Sequence, residues 1–325
     1  MVSVQPRRPN FEQRGRLQRR LEAGEFAVTA EVAPPRSASL SRVSRTAAAI
    51  KDWVEAANVT DGQGAVARMA SWAASLGLLR NGVEPVMQLQ CRDRNRIALQ
   101  ADLLGAAALN IPNVLLLTGD HPRFGDHPDA KPVFDLDSIQ LIWLARKMRD
   151  QGRLLSEREL AVAPRWFIGG AENPFAAPQR FRAERLGKKA AAGAQFCQTQ
   201  YVFDVPAFVR WMQQVRDLGL EKRCYVLAGV GPIRNKRVLE HLLHLPGIYI
   251  PDEVARRIRG VPEDRSEAEA LSLCAETIEQ LREIPGVAGI HLIASGSAAF
   301  IPEVLMRAGI DRRAPLSSDP DGAQS

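Results

Sequence analysis

The chain has 325 residues, 46% of them hydrophobic and 25% charged, with 24 Gly and 21 Pro in no periodic pattern. That balance excludes a disordered chain, which is too poor in apolar residues to bury a core, and a fibrous one; the length suits one barrel-sized domain or two smaller ones. Forty-three Lys and Arg against 37 Asp and Glu leave a net charge of +6, spread thinly, which suits an anionic cofactor or substrate as well as nucleic acid, or a basic surface with no partner.

Residues 1–10 are polar and carry Arg without an apolar segment, so a disordered tail is expected rather than a secretory signal. From there short apolar runs rich in β-branched residues alternate with longer stretches of helical period. Strands are expected at 26–33, 57–60, 84–89 and 113–117, with helices between them at 40–53, 65–79 and 94–109. Ser39 is a candidate N-cap for the first of these helices. A helix over 137–149 starts with Asp and ends in basic residues, which suits the helix dipole. Strands at 166–170, 195–203, 224–229 and 289–294 follow, with helices at 181–192, 205–218, 236–245, 267–283 and 298–307. Several strands are nearly continuous apolar runs, as parallel strands buried on both faces should be. Eight βα units in one chain predict a single-domain (β/α)8 TIM barrel over 11–311. An open doubly wound sheet usually has fewer strands and a Gly-rich first turn, and neither GxGxxG nor GxxxxGK[ST] occurs. The connection between the seventh and eighth strands, 245–285, is long enough for an extra helical segment, and residues 312–325 form a second polar tail expected to be disordered.

Cys91, Cys197, Cys224 and Cys274 lie far apart without a CxxC pair, which predicts buried free thiols. No apolar run approaches the roughly 18 residues of a membrane span. A soluble, cytoplasmic protein is expected.

In such a barrel the chemistry sits at the carboxyl ends of the strands. Glu31 alternates with apolar residues and should point into the mouth, as a desolvated general acid or as an ion-pair partner of Arg36 or another basic group. Thr118 and Gly119 form a tight turn before Asp120, a carboxylate for a ligand N–H or a helix cap. Gln198 and Gln200 share one strand face, where two amides need a ligand or a network; a ligand is the expectation. Lys188 and Lys189, or Arg92, Arg94 and Arg96, could hold a phosphate or form solvated helix faces. His121 and His127 are not spaced as a compact metal motif, so no metal is expected.

The segments TAEVAPPR, NVTD, LLLTGDHP, KKAAAGAQFCQTQYVFD and GIYIPDEV together resemble the methylenetetrahydrofolate reductase family, in family order from about residue 26 to 310. CRDRN, ADLLGA and NVLLLTGD resemble the subgroup fused to, or encoded near, homocysteine or corrinoid methyltransferases. The resemblance implies a flavoprotein barrel that reduces 5,10-methylenetetrahydrofolate to 5-methyltetrahydrofolate with FAD and NADH or NADPH. It implies Glu31 as the catalytic acid and Asp120 and Gln200 as substrate-binding residues. It implies Thr60, Gln88, Thr118, Gly119, Asp120, Asn173, Lys188 and Lys189 as cofactor-binding residues. Implied partners are the tetrahydrofolate substrate and either a second copy or a methyltransferase system, with no nucleic acid and no membrane.

Some family positions differ. Thr118-Gly119-Asp120 replaces Arg-Gly-Asp, Gln88-Leu89-Gln90-Cys91 replaces HLTC, and Gly169 and Asn173 stand at an aromatic and a histidine beside the cofactor. Arg182 stands at an acidic FAD contact, Ser297 at a substrate-contacting arginine, and 233–236 at an aromatic that folds over the cofactor. These departures predict FAD held loosely. Two rival readings are a flavin-poor or flavin-independent folate-binding subunit of a methyl-transfer system and a folate-dependent methyltransferase.

Overall fold

The computed structural model describes residues 14–245, 247–293 and 298–312. In chain order the elements are α1 (Arg16–Glu22), β1 (Ala27–Val32), α2 (Ser41–Ile50), β2 (Ala56–Val59), α3 (Ser71–Arg80), β3 (Pro85–Gln90), α4 (Arg96–Ala108) and β4 (Asn113–Leu117). There follow α5 (Ser138–Gln151), β5 (Phe167–Glu172), α6 (Arg182–Ala192), β6 (Phe196–Tyr201), α7 (Val205–Asp217) and β7 (Tyr225–Val230). The last are α8 (Lys236–Leu243), α9 (Asp252–Gly260), α10 (Ser266–Arg282), β8 (Val287–Leu292) and α11 (Ile301–Arg307). All eight strands are parallel, pair in sequence order, and close where β1 meets β8. The fold is the expected (β/α)8 barrel, with α9 as the extra helical segment between α8 and α10.

Local chemistry sets the element ends. Asp137 accepts from Gln140 N while the Gln140 side chain accepts from Asp137 N, a capping box that starts α5. Asn95 caps α4 by accepting from Ile97 N and Ala98 N. The cap position of α2 is Leu40 rather than Ser39, although the Ser39 hydroxyl accepts from Ser41 N. Helix α3 begins at Ser71, not near residue 65, because Gly62, Gly64 and Ala65 are left-handed (φ +51°, +67° and +58°) and a right-handed helix cannot run through them.

The core has two layers. Outward-facing strand residues pack under the helices. Inside, Ala27, Ala56, Val86, Leu115, Phe167, Phe196 and Leu227, one from each of seven strands, fill the amino-terminal end of the barrel. Helix α1, which the sequence reading did not anticipate, closes that end with Leu17 and Leu21, both fully buried. The Glu84 carboxylate holds it, accepting from Arg16 N, Leu17 N (3.1 Å) and Asn113 Nδ2 (2.7 Å).

Gly169 belongs to this interior. A Cβ there would overlap the Phe196 ring, which stacks on Phe167 at 4.9 Å. The expectation that Gly169 marks a lost cofactor-stacking aromatic is therefore corrected: the position faces a packed ring. All four cysteines are free and buried, and burial pushes the Cys91, Cys224 and Cys274 thiols up to about 12. Among the described residues no helix is long and apolar enough to cross a membrane. The tails expected to be disordered lie outside the described residues, except Arg312, which stands over the Trp53 ring.

Candidate active site

Above the apolar floor the barrel interior turns polar. Thr29 on β1, Asn58 on β2, Gln198 on β6 and His291 on β8 are buried and bonded to one another. Gln198 Nε2 donates to Thr29 Oγ1 (3.1 Å) and Asn58 Oδ1 (3.0 Å), and Asn58 Nδ2 donates back to Gln198 Oε1. Thr29 Oγ1 also meets His291 Nδ1 at 3.0 Å, and burial drives the His291 ring down to about 3, so it stays neutral. Gln198 is thus spent on a network and not on a ligand, correcting the expectation for that residue.

Glu31 lies one pleat higher than Thr29 on β1, in register with Asn58. Only 7% of it is exposed. Burial raises its carboxyl from an ordinary 4.5 to about 7, against smaller lowering effects of Gln63 and Arg68. The alternative ion pair with Arg36 is not formed; Arg36 instead faces Asp126 at 3.8 Å.

The turn after β2 joins Glu31 to Asp120. Gln63 Nε2 lies 3.3 Å from both Glu31 carboxyl oxygens, and the next residue, Gly64, donates its N–H to Asp120 Oδ2 (3.2 Å). Asp120 is exposed at the mouth and is no helix cap; Asp137 caps α5, and Thr118 Oγ1 accepts from Ser138 N at 3.1 Å. The arginines weighed as a phosphate site serve as pins. Arg92 donates to the carbonyls of Gly62 and Asp120 (both 3.2 Å) and pairs with Asp93. Arg94 pairs with Asp61 and Asp102 (both 2.7 Å), and Arg96 with Asp135. Asp93 adjoins Arg92, but no signal local to 92–96 reveals the partners of Arg94 and Arg96.

Gln200 is half-buried, and its Oε1 accepts from Tyr201 N at 3.0 Å, so the amide turns back onto its own strand. The β6–β7 register breaks between Gln198 and Tyr201, where Gly229 N donates to Thr199 Oγ1 (2.9 Å) in place of a ladder carbonyl.

The expected cofactor residues divide. Thr60 is buried at the end of β2 with its hydroxyl unpartnered, and Gln88 is buried on β3. Gly119 has φ +93°, and a Cβ there would overlap Gln90 Oε1. Asn173 is tied to Gly247 O (2.6 Å) and Phe175 N (3.0 Å). Lys188 is exposed on α6, so the structure does not bring it to the mouth with Lys189. Lys189 is buried and bonds the Ala171 carbonyl and Glu172 Oε2 (3.0 Å); Arg182 and Arg185 reach the same carboxylate at 3.7 and 3.9 Å. Ile233 is buried with Tyr201, Leu239 and Ile258 under α8 and α9, and Ser297 lies outside the described residues. The orphaned Thr60 hydroxyl fits the polar edge of a heterocyclic ring. The anionic arm of a dinucleotide is met less well: the three buried cations among the described residues, Arg92, Lys147 and Lys189, each have a carboxylate partner.

Fold and site together define a (β/α)8 barrel with a buried, neutral-pH carboxyl at the carboxyl end of its first strand. The chain belongs to the methylenetetrahydrofolate reductase family, whose model matches residues 16–309. It is 24% identical over 235 residues to a probable methylenetetrahydrofolate reductase (NADPH) of Caenorhabditis elegans, covering 70% of this chain and 33% of that one. It is 22% identical over 185 residues to a 5,10-methylenetetrahydrofolate reductase of Pectobacterium carotovorum, covering 57% of this chain and 56% of that one. The chain spans about a third of the length of the nematode relative. Among solved structures, a Clostridium thermocellum protein described as binding two copies of 5-methyl-5,6,7,8-tetrahydrofolic acid superposes with a TM-score of 0.63. It is 12% identical, and the match covers 90% of this chain and 98% of that one.

Proposed function

We propose that this protein reduces 5,10-methylenetetrahydrofolate to 5-methyltetrahydrofolate at the mouth of the barrel, with electrons from NADH or NADPH passing through FAD. The observation that carries the reading is the Glu31 carboxyl, buried at the end of β1 and raised to about 7. At neutral pH about half of such groups hold a proton, whereas an ordinary glutamic acid would hold one in under about 1% of molecules. Protonated Glu31 donates to N10 of the substrate as the bond from N10 to the methylene carbon breaks, leaving that carbon on N5 as an iminium. Hydride addition to the same carbon completes the methyl group, and Glu31 regains its proton from water. Reduced flavin, when bound, supplies the hydride. Asp120, across the Gly64 peptide, accepts from ring N–H groups of the pterin, and Thr60 and Gln88 would hold the polar edge of a bound flavin ring.

Family membership supports the reaction class, and the folate-binding neighbour supports a folate substrate. The deciding experiment is turnover of Glu31→Gln with FAD supplied. Folate reduction should fall about 10²–10⁴-fold while flavin reduction by nicotinamide persists, because only the former needs the acid. Normal folate turnover in the variant would sink the reading.

The pairing of every described buried cation favours a second reading, a folate-binding subunit of a methyl-transfer system that carries no flavin. It predicts folate binding by a colourless protein that FAD does not stabilise.

A further inference from the structure

We propose that Gln63 is a positioning residue for Glu31, aiming the carboxyl at the substrate and stabilising its ionised form between turnovers. The proposal rests on the reading of Glu31 as the acid. One amide nitrogen equidistant from both oxygens, at 3.3 Å, fixes the plane of the carboxyl group as a single-oxygen contact would not. An N–H donor favours the carboxylate over the acid. The amide also offers an acceptor, so a rotated Gln63 has a partner for the protonated form.

The turn that carries Gln63 is built to hold it there. It is flanked by left-handed residues at Gly62, Gly64 and Ala65, and at alanine that conformation is uncommon and costs energy. Bonds from outside secure it: Arg92 to the Gly62 carbonyl, Gly64 N to Asp120, and Ala67 N to Asp126 Oδ1. Gly125 packs against the Ala65 carbonyl so closely that a Cβ would overlap it. Gln63 itself is exposed, so its side chain has little packing to lose.

The charged group acting on Glu31 is Arg68, whose Nη1 is bonded to the Pro34 carbonyl at 3.2 Å. Asp120 stands beyond Gly64, Arg92 beyond Gly62, and neutral His291 below Thr29. None of these is altered by replacing Gln63.

The test is a carbon-13 NMR titration of glutamate side-chain carboxyls in the full chain, with the Glu31 resonance assigned by its loss in Glu31→Gln. Gln63→Leu should raise the Glu31 midpoint by about one unit, a tenfold change in proton affinity expected of one lost hydrogen bond to a charged group. Gln63→Glu should raise it further by placing a second carboxylate alongside. In turnover, Gln63→Leu should lower kcat with KM for folate unchanged and move the pH profile with the NMR midpoint. A Glu31 midpoint that stays put in Gln63→Leu overturns the proposal. A wild-type chain that reduces no folate overturns the reductase reading instead, and the NMR midpoints still decide the coupling.

Discussion

Glu31 carries a linkage between pH and stability. Its folded value of about 7 exceeds its ordinary 4.5, so the native state binds the proton more tightly than the unfolded chain does. The resulting stability is fully present below about pH 4.5 and is lost as pH rises through 7. Glu31→Gln removes the dependence. The variant should be more stable than the parent at pH 8, by up to about 3 kcal/mol at 1.4 kcal/mol per unit, with the gap closing toward pH 5. Urea unfolding at the two pH values measures this, and a constant gap would contradict it. Gln198 is a different kind of buried polar residue, since its energy lies in its partners. Gln198→Leu fills similar space but strands the Asn58 amide and removes a donor to Thr29. A loss of about 1–3 kcal/mol is expected by denaturant unfolding; an unchanged midpoint would mean that the network contributes nothing.

At the scale of elements, α1 and the mouth loops have separate tasks. Leu17 of α1 is fully buried against the floor of the barrel, at the end opposite Glu31. Leu17→Ala should therefore cost about 2–5 kcal/mol of stability and leave folate affinity unchanged. Calorimetric titration with 5-methyltetrahydrofolate and urea unfolding of the same variant separate the two. Gly125 sits where the loop after β4 presses on the loop after β2. Its φ is ordinary, so Gly125→Ala acts only through the overlap of its Cβ with the Ala65 carbonyl. Pushing the loops apart should weaken folate binding by tenfold or more, about 1.4 kcal/mol, with little change in melting temperature. Unaltered affinity would show that the two loops do not set the mouth.

For the whole molecule, the net charge of +6 does not translate into free buried cations among the described residues. Lys189, the buried lysine nearest the β5 end, is neutralised by Glu172, and Arg92 by Asp93. FAD should then be held loosely, and the protein should purify partly without it. Added FAD should raise the melting temperature by several degrees, since ligand at 100 times Kd stabilises by about 2.7 kcal/mol. A stoichiometric yellow protein that survives dialysis would refute loose binding. A colourless one that FAD does not stabilise, but that binds folate, would select the flavin-free reading.

The barrel and the buried carboxyl of Glu31 were legible in the sequence for one reason. Parallel strands buried on both faces read as continuous apolar runs, so β4 falls where expected and the other seven within a few residues. A carboxylate in such a run, Glu31, stands out against its neighbours. Helix α1 did not stand out, because seven residues rich in arginine show their two leucines as core only against the floor they cover. The left-handed turn carrying Gln63 did not either, since Ala65 gives no local sign of positive φ. Gln198 and Asn58 lie 140 residues apart, and Gln198 and Thr29 169 apart. Apolar burial follows from a residue's own chemistry and its spacing along the chain. Whether a buried amide or an arginine meets a ligand or another side chain depends on what distant segments bring beside it, and closure of the barrel alone decides that.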